Sequence, residues 1–461
     1  MLPFTYFRLV PVLACCALAG EVGAWTPSAQ PGEFARDLPA AGPAPTPADR
    51  ATLRFSSLAE LAAHALTARP ETRAVWLAMQ AEAARLDAAN AADWPVLTGQ
   101  FGLTRNRGLS TSGTVAPTLN RYGPTLSLAW TLYDFGARAA GQDAQRARLL
   151  AAAYAANRQL QTVVGEVEAT YAALLGARAR VDAQTESTAA LKASHDAATA
   201  RFSGGLATRA DTLRAQAALA EAALALQAAE RDVLKAEAAL KLAAGVEQTR
   251  ALVLAWAGEP PPLADAPAVL DELLAEAARL RPDLAALAAL AEAARAEAGR
   301  AEAARLPVVA LAANSGRTFF LDDGRGPSTS YSVGINLNVP LADGGRLRAE
   351  ARAARRVAEQ AEAEAAARRR QIAREVADAR ADVVYAQSQR AGVAAQFAAA
   401  AESARAAAAR YGSGLGSLLE LLTAQADLAR ARQVRAQADS DWLAAFSRLN
   451  QALGRLPAFL P

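Results

Sequence analysis

Ala200-Arg201-Phe202-Ser203-Gly204-Gly205-Leu206 recurs as Ala409-Arg410-Tyr411-Gly412-Ser413-Gly414-Leu415, 209 residues further on. The same spacing links Asp134 to Asp343, Gly136 to Gly345, Ala215-Gln216 to Ala424-Gln425, and Gly245 to Gly454. It holds without a gap from Tyr122/Tyr331 to Gly245/Gly454. Upstream, Arg69-Pro70 matches Arg281-Pro282 and Pro95 matches Pro307, now 212 residues apart. The chain is therefore a tandem duplication. The change of spacing falls between Pro95 and Tyr122, and insertions of this kind collect in exposed loops.

Each copy reads the same way. A helix of about 24 residues (Pro70–Asp93; Pro282–Arg305) ends before a proline, which cannot continue it. A strand, a polar loop and a second strand follow (residues 95–133 and 307–340). A turn with Asp and Gly leads into a very long helix (136–202; 345–411). A Gly-rich break then opens a last helix of about 36 residues (209–244; 417–453).

The second strand of each copy alternates. Leu126, Leu128, Trp130 and Leu132 are interleaved with Thr125, Ser127, Ala129 and Thr131. Val333, Ile335, Leu337 and Val339 are interleaved with Ser332, Gly334, Asn336 and Asn338. One apolar face over roughly 9–11 residues suits a tilted strand in a bilayer. A half-buried strand of a soluble sheet gives the same pattern. Helix length separates the two. About 66 residues at ~1.5 Å each reach on the order of 100 Å, too long for a compact domain. The two shorter helices together nearly match that length, as in the wall of a helical tube.

Net charge is +3, from 49 Lys and Arg against 46 Asp and Glu spread along the chain, which does not point to nucleic acid. Arg368-Arg369-Arg370 reads as a solvated helix face. No apolar run after the N-terminus is long enough for a transmembrane helix. Residues 1–24 read as an export signal: Arg8, an apolar core from Leu9 to Leu18, and small-residue cleavage sites after Ala19 or Ala24. Val12-Leu13-Ala14-Cys15 also resembles a lipobox that would lipidate Cys15. Both cysteines, Cys15 and Cys16, lie in this leader. Residues 25–57 read as an extended lead-in, 246–267 as a Pro-rich linker between repeats 58–245 and 268–454, and 455–461 as a tail.

No nucleophile–base set, phosphate loop or metal-ligand cluster is visible, so the chain reads as a non-enzyme without cofactor or metal. His64 and His195 stand alone on helices and read as surface or packing residues. The helix breaks carry the functional expectation. Gly205, Leu206, Ala207 and Thr208, and Gly414, Leu415, Gly416 and Ser417, form two turns with exposed leucines and capping hydroxyls. Asp211 and Glu420 follow at equivalent positions. On the sequence alone they read as first-turn acids favoured by the helix dipole.

The duplicated helix–hairpin–helix order, the turns Leu132-Tyr133-Asp134-Phe135-Gly136 and Leu341-Ala342-Asp343-Gly344-Gly345, and the Phe/Tyr-x-x-Gly-Leu breaks resemble the TolC-like outer membrane efflux family over about residues 58–454. The resemblance implies a mostly α fold with four strands per chain in a homotrimeric, twelve-stranded barrel in outer membrane lipid. A long helical barrel would extend into the periplasm of a Gram-negative cell. It further implies a passive exit duct, with the tips meeting a periplasmic adaptor (membrane fusion) protein and an inner membrane pump. The threefold symmetry it implies would turn Asp211 and Glu420 into rings of gate carboxylates; Glu420 matches an acidic gate position of the family, while Thr423 replaces a second acid. A type I protein secretion duct is the alternative within that class, and a poreless periplasmic scaffold is the alternative outside it.

Overall fold

The computed structural model describes residues 52–107, 118–255, 269–321 and 326–455. The leader with Cys15, residues 25–51 of the lead-in, the centres of both polar loops, most of the linker and residues 456–461 lie outside the described residues. The elements run β1 (Leu53–Phe55), α1 (Leu58–Ala68), α2 (Pro70–Ala91), β2 (Val96–Asn106), β3 (Leu119–Tyr133), α3 (Ala137–Ser203) and α4 (Arg209–Ala243). After β4 (Leu252–Leu254) come α5 (Leu270–Leu280), α6 (Pro282–Ala303), β5 (Val308–Phe320), β6 (Ser328–Asn338), α7 (Arg346–Gly412) and α8 (Leu418–Leu453). The long helices α3 and α7 each have 67 residues and start 209 apart. Helices α1 and α2 precede α5 and α6 by 212.

Both long helices start at an Asp-x-Gly turn. The Asp134 carboxylate accepts from the Gly136 and Arg138 amides at 3.3 and 2.9 Å, and Asp343 accepts from Gly345 and Leu347 at 3.0 and 2.7 Å. These bonds satisfy helix N–H groups that have no carbonyl partner. Gly136 and Gly345 sit at φ +92° and +86°, where an L side chain is strained.

Helices α2 and α4 lie along α3, and α6 and α8 lie along α7. The two repeats join because α3 also packs on α6 and α8. The apolar core is spread along this rod. One cluster holds Leu61, Val163, Val167, Leu174 and Leu240; its repeat counterpart holds Leu273, Ile372, Val376, Val383 and Leu449. A third, rich in alanine, lies near the helix breaks around Ala198, Ala407, Tyr411 and Leu418. Small residues set the helix spacing. At Gly176 in α3, an added Cβ would stand 2.5 Å from the Ser440 Oγ of α8. Glycine inside a helix costs about 1 kcal/mol relative to alanine, a cost accepted here for close approach.

A buried ion cluster holds the α5–α6 junction. Arg281, wholly buried, donates to Asp283 at 2.9 and 2.7 Å, to Glu375 at 2.7 Å and to the Ala452 carbonyl at 3.0 Å. Arg368 joins through Asp283 and Glu375. This differs from the sequence expectation of a solvated Arg368, because α6 brings Asp283 against that face of α7. The first repeat keeps a more open version, Arg69 with Glu71 and Glu166.

Two segments differ from the sequence reading. Residues 53–55 of the lead-in pair in parallel with 252–254 of the linker, and Phe55 enters the core beside the His64 ring at 5.3 Å. Strand β6 ends at Asn338, so Val339 lies beyond it. Pro340 follows, with no amide to offer a ladder, and its repeat counterpart in β3 is Thr131.

Gly176→Ala is expected to lower the unfolding midpoint of the purified chain, since the clash, at ~1–3 kcal/mol, exceeds the helix-propensity gain. Gly392→Ala, with open space around the new Cβ, is expected to raise it. Equal shifts of one sign in circular-dichroism melts would show that packing does not select Gly176.

Two carboxyls predict opposite pH responses. Burial pushes Glu168 up to about 7, although the Ser447 hydroxyl donates to it at 2.8 Å. The folded state then holds the proton that the unfolded state has lost, so this contribution fades as pH rises from about 4.5 to about 7. Burial opposes ionisation of Asp283 as well, but the Arg281 and Arg368 guanidiniums hold it down to about 2. Its contribution is present above about 3.8 and is lost as pH falls toward about 2. Glu168→Gln should flatten the neutral limb of a stability–pH curve, and Asp283→Asn the acid limb.

Candidate membrane sheet and docking tips

Four strands form one antiparallel sheet in the order β2-β3-β5-β6. Its register aligns the alternation across all four. Leu97, Leu128, Ala313 and Val333 stand in one row, and Trp130, Leu311 and Ile335 in another. The opposite face carries Thr98, Ser127, Asn314 and Ser332, then Gln100, Thr125, Gly316 and Ser330. One face is mainly apolar and the other mainly polar or small, with Ser315 and Arg317 of β5 interrupting the apolar face toward the loop end.

Leu126, Trp130, Leu132, Val333, Ile335 and Leu337 are exposed on the apolar side, and Leu128 is half-buried there. Leu97, Phe101 and Leu103 of β2 join the same face. A bulge between Thr131 and Tyr133 leaves Leu132 out of the β5 register. Eleven residues of β2 rise about 36 Å along the strand, or roughly 25 Å along the normal at a ~45° tilt, the height of an apolar belt.

Aromatic rings mark both ends of that belt. At the helix end stand Trp94, Trp130, Tyr133 and Phe135, with Tyr133 and Phe135 at 4.7 Å and the Trp130 indole donating to the Asp93 carbonyl at 2.9 Å. At the loop end, Tyr122 stacks on Phe319 at 5.2 Å and meets Phe101 at 6.3 Å. Paired girdles of this kind sit at the two interfaces of a bilayer. The alternation of aliphatic residues does not reveal them; the aromatic residues at the strand ends do. Among the described residues, no helix is long and apolar enough to cross a membrane.

The helix breaks form two similar tips. Gly205 and Gly414 adopt φ +73° and +81° and close the turns, leaving Leu206 and Leu415 81% and 78% exposed. Ala207 and Gly416 follow in the turns. Thr208 and Ser417 cap α4 and α8, accepting from the Asp211 and Glu420 amides at 3.2 and 3.1 Å. The two acids then part ways. Asp211 completes a capping box, accepting from the Thr208 hydroxyl at 2.7 Å and amide at 3.1 Å, which holds it below the usual carboxylate range. Glu420 instead pairs with Arg410 at 3.0 Å across its tip. Arg201 crosses between tips, its guanidinium 4.3 Å from the Tyr411 ring centroid, donating to the Tyr411 and Gly412 carbonyls.

Among the described residues, no cluster of His, Cys, Asp and Glu could hold a metal ion. His195 lies 3.4 Å from Asp196 on α3.

A family model described as "Outer membrane efflux protein" matches residues 61–246 and 273–455, one span per repeat. Protein CyaE of Bordetella pertussis (strain Tohama I) is 33% identical over 419 residues, which cover 89% of this chain and 86% of that protein. The solved outer-membrane channel OprN is similar with a TM-score of 0.79 at 25% identity, covering 86% of this chain and 89% of OprN. The outer membrane protein VceC of Vibrio cholerae shares the fold, with a TM-score of 0.75 at 22% identity over 86% of this chain and 96% of VceC. The chain belongs to the outer membrane efflux protein family, and is an outer membrane protein that extends into the periplasm.

Proposed function

We propose that the chain is one of three copies forming the passive exit duct of a tripartite efflux pump. A single observation carries this reading: a four-stranded sheet of bilayer height, apolar on one face and with unpaired outer edges at β2 and β6, continues into paired 67-residue helices. Three copies would give twelve strands and no free edge in lipid. The export signal at residues 1–24, ending in cleavage or in lipidation of Cys15, would deliver the chain to the periplasmic side. Small molecules or ions would then leave through the lumen after the tips dock to a periplasmic adaptor and its inner membrane pump. The energy for transport would come from that pump.

Deleting the gene in its Gram-negative host should abolish export of the pump's small-molecule substrates, and the purified oligomer should conduct ions in planar bilayers. Loss of a secreted protein with small-molecule export intact would assign the duct to type I secretion instead. Absence of both conductance and outer membrane localisation would support a poreless scaffold.

For the docking tips, replacing Leu206 and Leu415 together by Asp should cut export at least about tenfold and abolish adaptor crosslinking, with conductance retained. Desolvating two new carboxylates in an apolar contact is costly enough for that effect. Unchanged export would remove the tips as the docking site. For the gate, Glu420→Ala removes the ion pair to Arg410 and should raise resting conductance. An unaltered closed state would leave Glu420 as a helix-start acid only.

A further inference from the structure

We infer that Arg121 is a charge filter at the loop end of the duct, where three copies would ring the lumen with guanidinium groups and favour small anionic molecules, such as carboxylates and phosphate esters, over cations. This rests on the duct reading above and names its substrate class.

Charge on the sheet has one sign. The four strands contain no Asp or Glu and three arginines, Arg105, Arg121 and Arg317, all near the loop end. Beyond the strands, the polar stretches add Arg107 and Arg325 against Asp322 and Asp323, which cancel in formal charge. Register sorts the three strand arginines by face. Arg105 pairs with Asn120 and Arg317 with Thr329 on the apolar face, and the Arg317 guanidinium lies 5.4 Å from the Phe319 ring centroid. Arg121 pairs with Thr104 of β2 and Phe320 of β5 on the polar face. It is the one charged side chain that the four strands place on that face.

The local geometry presents this charge. Arg121 is exposed, and its Nε donates to the Thr104 hydroxyl at 3.1 Å, which holds the side chain across the polar face. A guanidinium held by its Nε still offers the planar fork of its two terminal nitrogens, the shape that matches a carboxylate or a phosphate. In the next polar row toward the helices Gly102 stands opposite Gly123, so no side chain of that pair screens the fork.

The dimensions of the duct let three such groups act on any passing solute. Twelve strands ~4.8 Å apart at a ~40° tilt close a circle of roughly 75 Å, with a backbone radius of about 12 Å. A guanidinium reaching inward from that wall leaves the axis within about one Debye length, ~8 Å at physiological ionic strength. A low-dielectric wall focuses the field further, and rings of Arg or Lys select anions in pores.

The test is the reversal potential of the full-length oligomer in planar bilayers under a potassium chloride gradient, which reads the anion-to-cation permeability ratio. Comparing each variant with the parent cancels the contribution of Asp211 and Glu420 at the tips. Arg121→Gln should lower the ratio at least about twofold, Arg121→Glu should lower it further, and Arg121→Lys should keep it. Arg105→Gln removes the same charge one row away on the opposite face and should leave the ratio unchanged. A conducting Arg121→Glu oligomer with the parent's ratio overturns the filter and leaves the duct reading standing. An equal shift from Arg105→Gln also overturns it, by making the effect one of general surface charge. A parent chain that does not conduct sinks the duct reading itself. As a second measure, charge is installed after assembly, by treating the Arg121→Cys channel with a negatively or a positively charged thiol reagent. The negative adduct should lower the ratio and the positive one restore it, and equal ratios overturn the filter.

Discussion

A backbone amide inside lipid must find a carbonyl, and that constraint governs this chain from the sheet outward. Strands β3 and β5 are paired on both sides, but β2 and β6 each keep one open edge. In water an open edge invites aggregation; in hydrocarbon each unpaired group costs several kcal/mol. Four strands cannot curl far enough to meet, whereas eight or more can. In the proposed duct, further copies would meet these edges, because each repeat contributes only one hairpin. Within the chain, the β3–β5 pairing shows how one hairpin lies against the next.

The helices carry the same logic beyond the bilayer. A helix of 67 residues has far too much side surface to cover alone, so it is flanked by shorter helices of 22 and 35 residues. Alanine at the contacts keeps the axes close and the lateral burial per residue modest, so stability accumulates along the length. Among the described residues, the clusters with larger side chains lie where α1 and α5 pack on α3 and α7, while the cluster near the tips is mostly alanine. The loss in helix propensity at Gly176 lets the half-buried Ser440 pack against α3 and donate to the Ala172 carbonyl at 3.2 Å, a local conflict resolved by packing.

Most of this was legible in the sequence because long periods average out local noise. The 209-residue offset predicts both long helices, and the alternation of Leu126–Leu132 and Val333–Leu337 gives the apolar face that the register aligns. Strands of three residues carry no period, so the β1–β4 pair was not visible from 53–55 or 252–254 alone. Val339 extended the alternation, yet Pro340 stopped the ladder one residue before it. The capping box was readable as Thr208-x-x-Asp211, and it uses Asp211 in a way that Glu420, with its partner Arg410, is not used. Equivalent positions in a duplicated chain need not keep equivalent roles. Arg368 shows the same from the other side, since only the fold reveals that Asp283 reaches it.

The Arg-Pro steps explain how a straight wall can be assembled from broken helices. A residue before proline is driven to extended geometry, and Arg69 and Arg281 have ψ of 130° and 114°. The chain thus changes direction between α1 and α2 and between α5 and α6, while Pro70 and Pro282 start the next helix without losing a needed hydrogen bond. A kink alone would be a hinge. Arg281 prevents that by spending its guanidinium on Asp283, Glu375 and the Ala452 carbonyl, which tie α6, α7 and the end of α8 to one point. Removing one partner would strand a buried charge at about 3–5 kcal/mol, more than the pair itself contributes over a well-packed apolar substitute. The cluster therefore acts chiefly to specify geometry. It holds the start of α6 against α7 and the end of α8 at the point where the chain turns between α5 and α6.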